Sequence, residues 1–191
     1  MIILSGATGS GKTTVAKELD KIGFTIIPTF TTRPPRENDD YTVCVSEEQF
    51  RSIDRAALFM ATGTFDSKMG KVSYGIPIEP YLTRHSEAVT ILVQEYMDDT
   101  IKYVTENTDD VLLRVYIEVD EETLIDYSMK DDSRGKSNTD LKDRIIRDRE
   151  KNNLLKKQAD LIIVNDEFTM SPKEVALCII DDYKRLIKRK E

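Results

Sequence analysis

Residues 6–13, GATGSGKT, fit the phosphate-binding pattern G-x-x-x-x-G-K-[ST], and their chemistry is that of a nucleoside triphosphate site. Glycines permit backbone dihedral angles that other residues resist, so successive amide N–H groups can converge on phosphate oxygens. A helix that begins at the loop adds the positive end of its dipole. In this pattern Lys12 reaches the β- and γ-phosphates and the hydroxyl of Thr13 holds Mg²⁺. The loop leaves open where the γ-phosphoryl group goes.

A second cationic segment, TTRPPR, lies at residues 31–36. Its two arginines, Arg33 and Arg36, flank two prolines that stiffen the backbone. The guanidinium group is a planar fork that matches the oxygens of a phosphate. The segment therefore predicts a second phosphate site, separate from the loop.

The elements that must position these two sites follow a βαβ rhythm, which is typical of a parallel sheet. Two segments with capping-box spacing, 46–49 and 171–174, predict helix starts. Short alternating pieces at 41–45, 58–64 and 71–74 interrupt the rhythm, and we expect the polar segment 131–138 to be a mobile loop. The predicted strands are 2–4, 24–27, 88–93, 111–119 and 161–164, and the predicted helices are 11–22, 96–107, 121–130 and 139–157.

The composition limits the classes of partner. The 191-residue chain has 28 Lys and Arg residues against 35 Asp and Glu residues, for a formal net charge of −7. This balance argues against binding to nucleic acid or anionic lipid through a basic surface. No apolar run approaches the roughly 20 residues of a membrane helix, and residues 1–4 are too short for a signal peptide. We expect one cytoplasmic domain, a monomer or homodimer, with no nucleic-acid or membrane partner.

The cysteines and the single histidine suggest no metal chemistry. Cys44 and Cys178 lie far apart in apolar stretches, without metal-ligand spacing, and we expect two buried thiols. His85 stands alone, and we expect it at the surface or in a turn.

Several segments together resemble the guanylate kinase family. The TTRPPR segment resembles T-[TS]-R-x-P-R, residues 40–50 (DYTVCVSEEQF) resemble D-Y-x-F-V-S-x-x-x-F, and residues 73–75 (SYG) resemble Y-Y-G. Farther on, residues 141–145 (LKDRI) resemble I-x-K-R-L, and residues 160–166 (DLIIVND) resemble D-x-V-I-V-N-D. The similarity covers nearly the whole chain in the family's order.

The resemblance implies a fold and a division of the chain. The fold is an α/β three-layer P-loop kinase with a core of about five parallel strands. The core would comprise residues 1–29, 81–125 and 146–191. An acceptor-binding insertion would occupy about 30–80, and a lid about 126–145.

The resemblance also implies ATP- and Mg²⁺-dependent phosphoryl transfer to a nucleoside monophosphate, with GMP or dGMP as the acceptor and small nucleotides as partners. The residues implied to bind ATP are Gly6, Ala7, Thr8, Gly9, Ser10, Gly11, Lys12, Thr13, Thr14 and Asn165, with Thr13 as the metal ligand. The residues expected at the acceptor are Thr29, Arg33, Arg36, Tyr41, Tyr74 and Glu95. The residues implied to act on the transferring group are Lys12, Arg33, Lys130, Arg134 and Arg144.

The sequence departs from the family where the base is read. A carboxylate in F-I-E-W-x-x-F suits guanine because it accepts two hydrogen bonds from adjacent N–H groups, but Ala61 holds that position here. Ile76 replaces the Ser or Thr that follows Tyr-Gly in the family, and residues 92–95 (LVQE) replace L-D-I-D. Glu95 or Asp66 could serve as the substitute carboxylate.

Other functions stay open at this point. A kinase for another (deoxy)nucleotide, or for ribose 1,5-bisphosphate, would need no guanine reader, and Ala61 and Ile76 favour it. Tyr41 and Tyr74 favour a nucleotide. A non-catalytic interaction module and a P-loop switch or regulatory ATPase are the remaining alternatives, and the intact loop argues against the module.

Overall fold

Two β-sheets organise the chain, whose computed structural model describes residues 1–36, 39–67, 70–130 and 138–190. The core sheet has five strands in the order β2-β7-β1-β8-β9, all parallel, and the second sheet has the order β4-β3-β6-β5. The strands are β1 (Ile2–Gly6), β2 (Thr25–Ile26), β3 (Thr29–Thr31), β4 (Thr42–Cys44), β5 (Phe59–Ser67), β6 (Gly70–Pro77), β7 (Ala88–Ile91), β8 (Leu113–Glu118) and β9 (Leu161–Val164).

Helices cover both faces of the core sheet, because its strands are apolar on both sides. They are α1 (Lys12–Lys21), α2 (Glu47–Arg55), α3 (Glu79–Arg84), α4 (Gln94–Asn107), α5 (Glu121–Lys130), α6 (Asn138–Arg147), α7 (Arg149–Gln158) and α8 (Pro172–Lys190). On one face, Ile2 and Leu4 pack with buried residues of α1 and α8. On the other, Ile3 packs with buried residues of α3, α4 and α7. The predicted α/β fold with a parallel sheet at its core is confirmed.

The second sheet carries α2 on one face. Phe50 of α2 stacks on Phe59 with ring centroids 4.9 Å apart. The predicted capping box starts this helix: the Gln49 backbone N–H donates to the Ser46 hydroxyl at 3.1 Å, and the Ser46 N–H donates to the Gln49 side chain at 2.9 Å. The other face of the sheet turns toward α4.

Two expectations from the sequence were wrong. The helix predicted at 139–157 is two helices, which separate at Asp148, where ψ is 5°. Aspartate is unfavourable in a helix interior, and the helix breaks at Asp148 although its side chain does not cap α7. Cys178 is exposed and Cys44 is half-buried, because the buried residues of α8 lie on the opposite side of that helix from Cys178.

Other expectations have clear outcomes. His85 lies at the end of α3 with about half of its side chain exposed, as predicted. Of the polar segment 131–138, all but Asn138 lies outside the described residues, and Asn138 begins α6. Within the described part of the chain, no helix is both long and apolar enough to cross a membrane.

Candidate functional site

The phosphate loop connects β1 to α1 at the carboxyl end of the central strand. Because β1 lies between β7 and β8, the loop sits where ligands bind in open α/β sheets. Gly6 has φ 146°, and a Cβ atom there would lie 2.5 Å from the carbonyl oxygen of Ile117 and 2.8 Å from Oγ of Ser10. Only glycine fits this position, so the tight turn after β1 depends on it.

Lys12 curls back over the loop that it follows. Its ammonium group donates to the carbonyl oxygens of Gly6 at 2.9 Å and Ala7 at 2.6 Å, and it lies 3.5 Å from Oγ of Ser10. Thr13 and Thr14 are exposed on the first turn of α1. The loop therefore gathers a cation, a helix N-terminus and accessible hydroxyl groups in one place, which is the donor set that nucleotide phosphates and their magnesium ion require.

Helices α5 and α6, which border the predicted lid segment, each place a buried residue against this loop. Ala7 forms a small buried cluster with Val119, Leu124 of α5 and Ile145 of α6. Lys130 is the last residue of α5, and Arg144 precedes Ile145 in α6. Arg134 lies outside the described residues.

The second cationic segment is organised by an aspartate that the sequence analysis did not single out. Nη1 of Arg33 donates to Oδ2 of Asp39 at 2.7 Å, and Nη2 donates to Oδ1 of the same carboxylate. The backbone N–H of Arg36 also donates to Oδ2 of Asp39, at 2.7 Å. The hydrogen bond from Arg33 holds the pKa of Asp39 below its usual range, and the pKa of Arg33 is raised in return.

Arg33 lies on the face of the second sheet that turns toward α4. Thr31 pairs with Tyr74 across β3 and β6, and Tyr74 is close enough to contribute to the raised pKa of Arg33. Thr29 begins β3, and its N–H donates to the carbonyl oxygen of Tyr41 at 2.9 Å. Arg33 and the backbone of Arg36 thus meet at Asp39, and Arg33 lies near Tyr74.

The rest of that face is closed by aromatic rings. Tyr96 of α4 is 4% exposed, and its ring lies so close to Gly63 that a Cβ there would be 2.8 Å away. Phe65 makes edge-to-face contacts with Tyr96 and with Tyr74, each with ring centroids 5.7 Å apart. Burial raises the pKa of Tyr96.

The two positions that would read a base belong to the same apolar cluster. Ala61 is 4% exposed and Ile76 is 1% exposed, and they face each other across β5 and β6. Both pack with Tyr96 in one buried cluster.

Three predicted site residues are engaged elsewhere. The Tyr41 hydroxyl donates to Asp20 of α1 at 3.0 Å, and burial with this bond raises the pKa of Tyr41 to about 12. Glu95 pairs with Lys151 of α7. Asn165 is 5% exposed.

The amide of Asn165 is satisfied by the backbone. It donates to the Met170 carbonyl at 3.2 Å and accepts from the Met170 N–H at 2.8 Å. Asp66, the other candidate carboxylate, lies opposite Lys71 in the register of β5 and β6.

Sequence reasoning missed Asp39 and Tyr96. The sequence does indicate Asp39, because an acidic residue six positions after Arg33 is close enough along the chain to form an ion pair with it. Tyr96 had none, since its contact with Gly63 joins two elements far apart in the sequence.

Comparison with known proteins finds one curated relative of part of the chain and solved structures of the same fold. A protein of Pseudothermotoga lettingae described as "Nucleotide-binding protein" is 30% identical over 102 residues, which are 53% of this chain and 33% of that protein. The chain thus spans about a third of the length of this curated relative. No family model matches the chain.

Among solved structures, a guanylate kinase from Anaplasma phagocytophilum superposes with a TM-score of 0.66 at 16% identity. The match covers 97% of this chain and 84% of that one. The chain therefore has the α/β fold of this guanylate kinase.

Proposed function

We propose that this chain is a kinase that transfers the γ-phosphoryl group of ATP to a small acceptor that already carries a phosphate. The first candidate acceptor is a nucleoside monophosphate, with GMP or dGMP the default from the resemblance. The observation that carries the proposal is the pair of cationic sites, Lys12 in the loop and Arg33 on the second sheet, within a guanylate-kinase-like fold.

The chemistry suits these residues. Phosphoryl transfer needs positioning and charge neutralisation more than covalent catalysis. Lys12 would neutralise the phosphates of the donor, and Arg33 with Arg36 would hold the phosphate of the acceptor. An acceptor that is already an anion needs no strong general base.

The donor site could hold a magnesium ion shared between the protein and the phosphates of the nucleotide. Mg²⁺ in such sites takes one or two protein oxygens and completes its shell with substrate phosphates and water. The exposed hydroxyl of Thr13 is the proposed protein ligand. When bound, the ion neutralises charge that develops on the transferring group. Lys130, Arg134 and Arg144 are proposed to close over that group and exclude water.

The second candidate acceptor is a sugar phosphate such as ribose 1,5-bisphosphate. The observation that favours it is that Ala61 and Ile76, at the two positions that would read a base, are apolar and buried. A site that hydrogen-bonds a base discriminates between bases by orders of magnitude. Loss of the hydrogen-bonding group removes that discrimination. The phosphate site is retained in both candidates.

An acceptor panel tests the proposal. ADP production from ATP and Mg²⁺ is measured with GMP, dGMP, AMP, dAMP, CMP, UMP, dTMP, ribose 1,5-bisphosphate, and no acceptor. Turnover stimulated by one of these supports the kinase proposal and names the acceptor. Slow hydrolysis that no acceptor stimulates would indicate a regulatory ATPase, and failure to bind ATP would revive an interaction module.

Replacing Arg33 by lysine should raise the acceptor KM and leave ATP binding unchanged. Lysine keeps the charge but loses the two-pronged hydrogen bonding of guanidinium. A lost hydrogen bond to a charged group corresponds to about a tenfold to hundredfold rise in acceptor KM. Steady-state kinetics with the acceptor found in the panel gives KM, and equilibrium titration gives the dissociation constant of ATP.

The matched control for this change is Arg51→Lys. Arg51 is exposed on α2, on the opposite face of the same sheet, and pairs with Glu47. Its replacement should leave both constants unchanged. Equal effects of the two substitutions would argue against a phosphate site at Arg33.

A further inference from the structure

Asp39 holds Arg33 in the way that an acceptor phosphate would hold it. Both terminal nitrogens of the guanidinium donate to the two oxygens of this one carboxylate. The backbone N–H of Arg36 adds a third hydrogen bond, at 2.7 Å. Carboxylate and phosphate groups present similar oxygen pairs to a guanidinium fork, so one can stand in for the other.

The pair is largely shielded from water. The side chain of Arg33 is 10% exposed and that of Asp39 is 15% exposed. A charge at such a depth costs free energy unless it is paired. Asp39 supplies the counter-charge that Arg33 needs while no acceptor is bound.

The surroundings of the carboxylate are those of the acceptor segment. Besides Arg33 and Arg36, the Cys44 thiol lies 3.9 Å from Oδ2. The next residue, Asp40, points elsewhere and pairs with Lys17 of α1 at 2.7 Å. Only one of the two adjacent aspartates therefore enters the segment, which makes the other a natural comparison.

We propose that Asp39 is an internal anion that occupies the acceptor-phosphate subsite, and that an acceptor binds by exchanging its phosphate for this carboxylate at Arg33. The inference rests on the proposed function, because it takes Arg33 as the acceptor's ligand. It makes Asp39 a specificity determinant: a singly charged anion must compete with a tethered carboxylate, whereas a dianionic phosphate can displace it.

The opposite role predicts the opposite result. If Asp39 merely oriented Arg33 and the acceptor used another edge of the guanidinium, loss of the Asp39 charge would weaken phosphate binding. Displacement requires that the same loss strengthen it.

The test measures binding of inorganic phosphate by isothermal titration calorimetry at pH 7.5 and fixed ionic strength. Asp39→Asn keeps the size of the side chain and removes its charge. We expect phosphate to bind about tenfold more tightly to this variant, because the carboxylate no longer competes for Arg33. A factor of about ten corresponds to one charge-assisted hydrogen bond. Asp40→Asn is the matched control and should bind as the wild type does. Unchanged or weaker binding by Asp39→Asn, or no binding by any form, overturns the inference.

A second measurement uses the wild-type chain and does not depend on the folding of a variant. Carboxyl ¹³C NMR follows the titration of Asp39 with and without saturating phosphate. Displacement from Arg33 should return the pKa of Asp39 toward its usual range, and an unaltered titration with phosphate bound overturns the inference.

The two proposals fail separately. Phosphate binding needs neither ATP nor turnover, so tighter binding by Asp39→Asn with a silent acceptor panel would refute the proposed function alone. An active panel with unchanged phosphate binding by Asp39→Asn would refute the role of Asp39 alone.

Discussion

Replacing Lys12 by methionine should lower the rate of phosphoryl transfer by about 10²–10³-fold, the usual loss for one charged group aimed at the reacting phosphates. Methionine has nearly the length of lysine and no charge. In the structure the ammonium group donates to the carbonyl oxygens of Gly6 at 2.9 Å and Ala7 at 2.6 Å. Its removal takes away the cation of the loop and keeps most of the volume of the side chain. ADP production with the acceptor identified in the panel measures the loss.

Lys17→Met serves as the control on the same helix. Lys17 is exposed on α1 and pairs with Asp40, so its replacement should leave the rate within about twofold, as surface pairs contribute little. Thermal melting of both variants should match the wild type. A Lys12→Met variant with wild-type turnover would contradict the assignment of this loop as the donor site.

Replacing Gly6 by alanine should destabilise the chain by about 2–5 kcal/mol, from the positive φ angle together with the clash of the new methyl group. The methyl carbon would lie 2.5 Å from the backbone oxygen of Ile117, which belongs to β8 and cannot swing aside as a side chain can. For a chain of this size the melting temperature should fall by about 10 °C. ATP with Mg²⁺ should no longer raise it.

Gly23→Ala separates the two causes. Gly23 follows α1 with φ 102°, and a Cβ there would meet no atom within 4 Å. It carries the backbone strain without the clash and should cost about 1–2 kcal/mol. Equal melting temperatures for the two variants would mean that the contact with β8 relaxes freely, and the loop would then tolerate a side chain at its first position.

Local sequence signals located the parts of the fold that depend on neighbours along the chain. The strand at Leu161–Val164 and the helix at Glu121–Lys130 have the predicted bounds, because a short apolar run and a clear amphipathic repeat mark them. Both capping boxes form, since each needs only residues three positions apart. The single predicted helix over 139–157 failed because its periodicity continues through Asp148, whose backbone preference breaks it.

The candidate site was less predictable, because it is assembled from residues distant in sequence. Its phosphate loop is continuous and was readable from one motif. The packing of Tyr96 on the second sheet depends on how α4 lies over β5, which no local pattern records. Asn165 was assigned to a base from a motif, and that assignment stays a prediction; in the structure its amide hydrogen-bonds to the backbone of Met170.

The position of β1 has a consequence for how the molecule opens. Ile2, Ile3 and Leu4 are fully buried, and the strand has a neighbour on each side. Local unfolding begins where few contacts protect the backbone, so amide hydrogens in β1 should exchange only with global unfolding. The three-residue strand β4, at an edge of the second sheet, can open on its own. The phosphate loop is thus tied to the strand that we expect to lose protection last, while amide hydrogens in and beside β4 should exchange earlier.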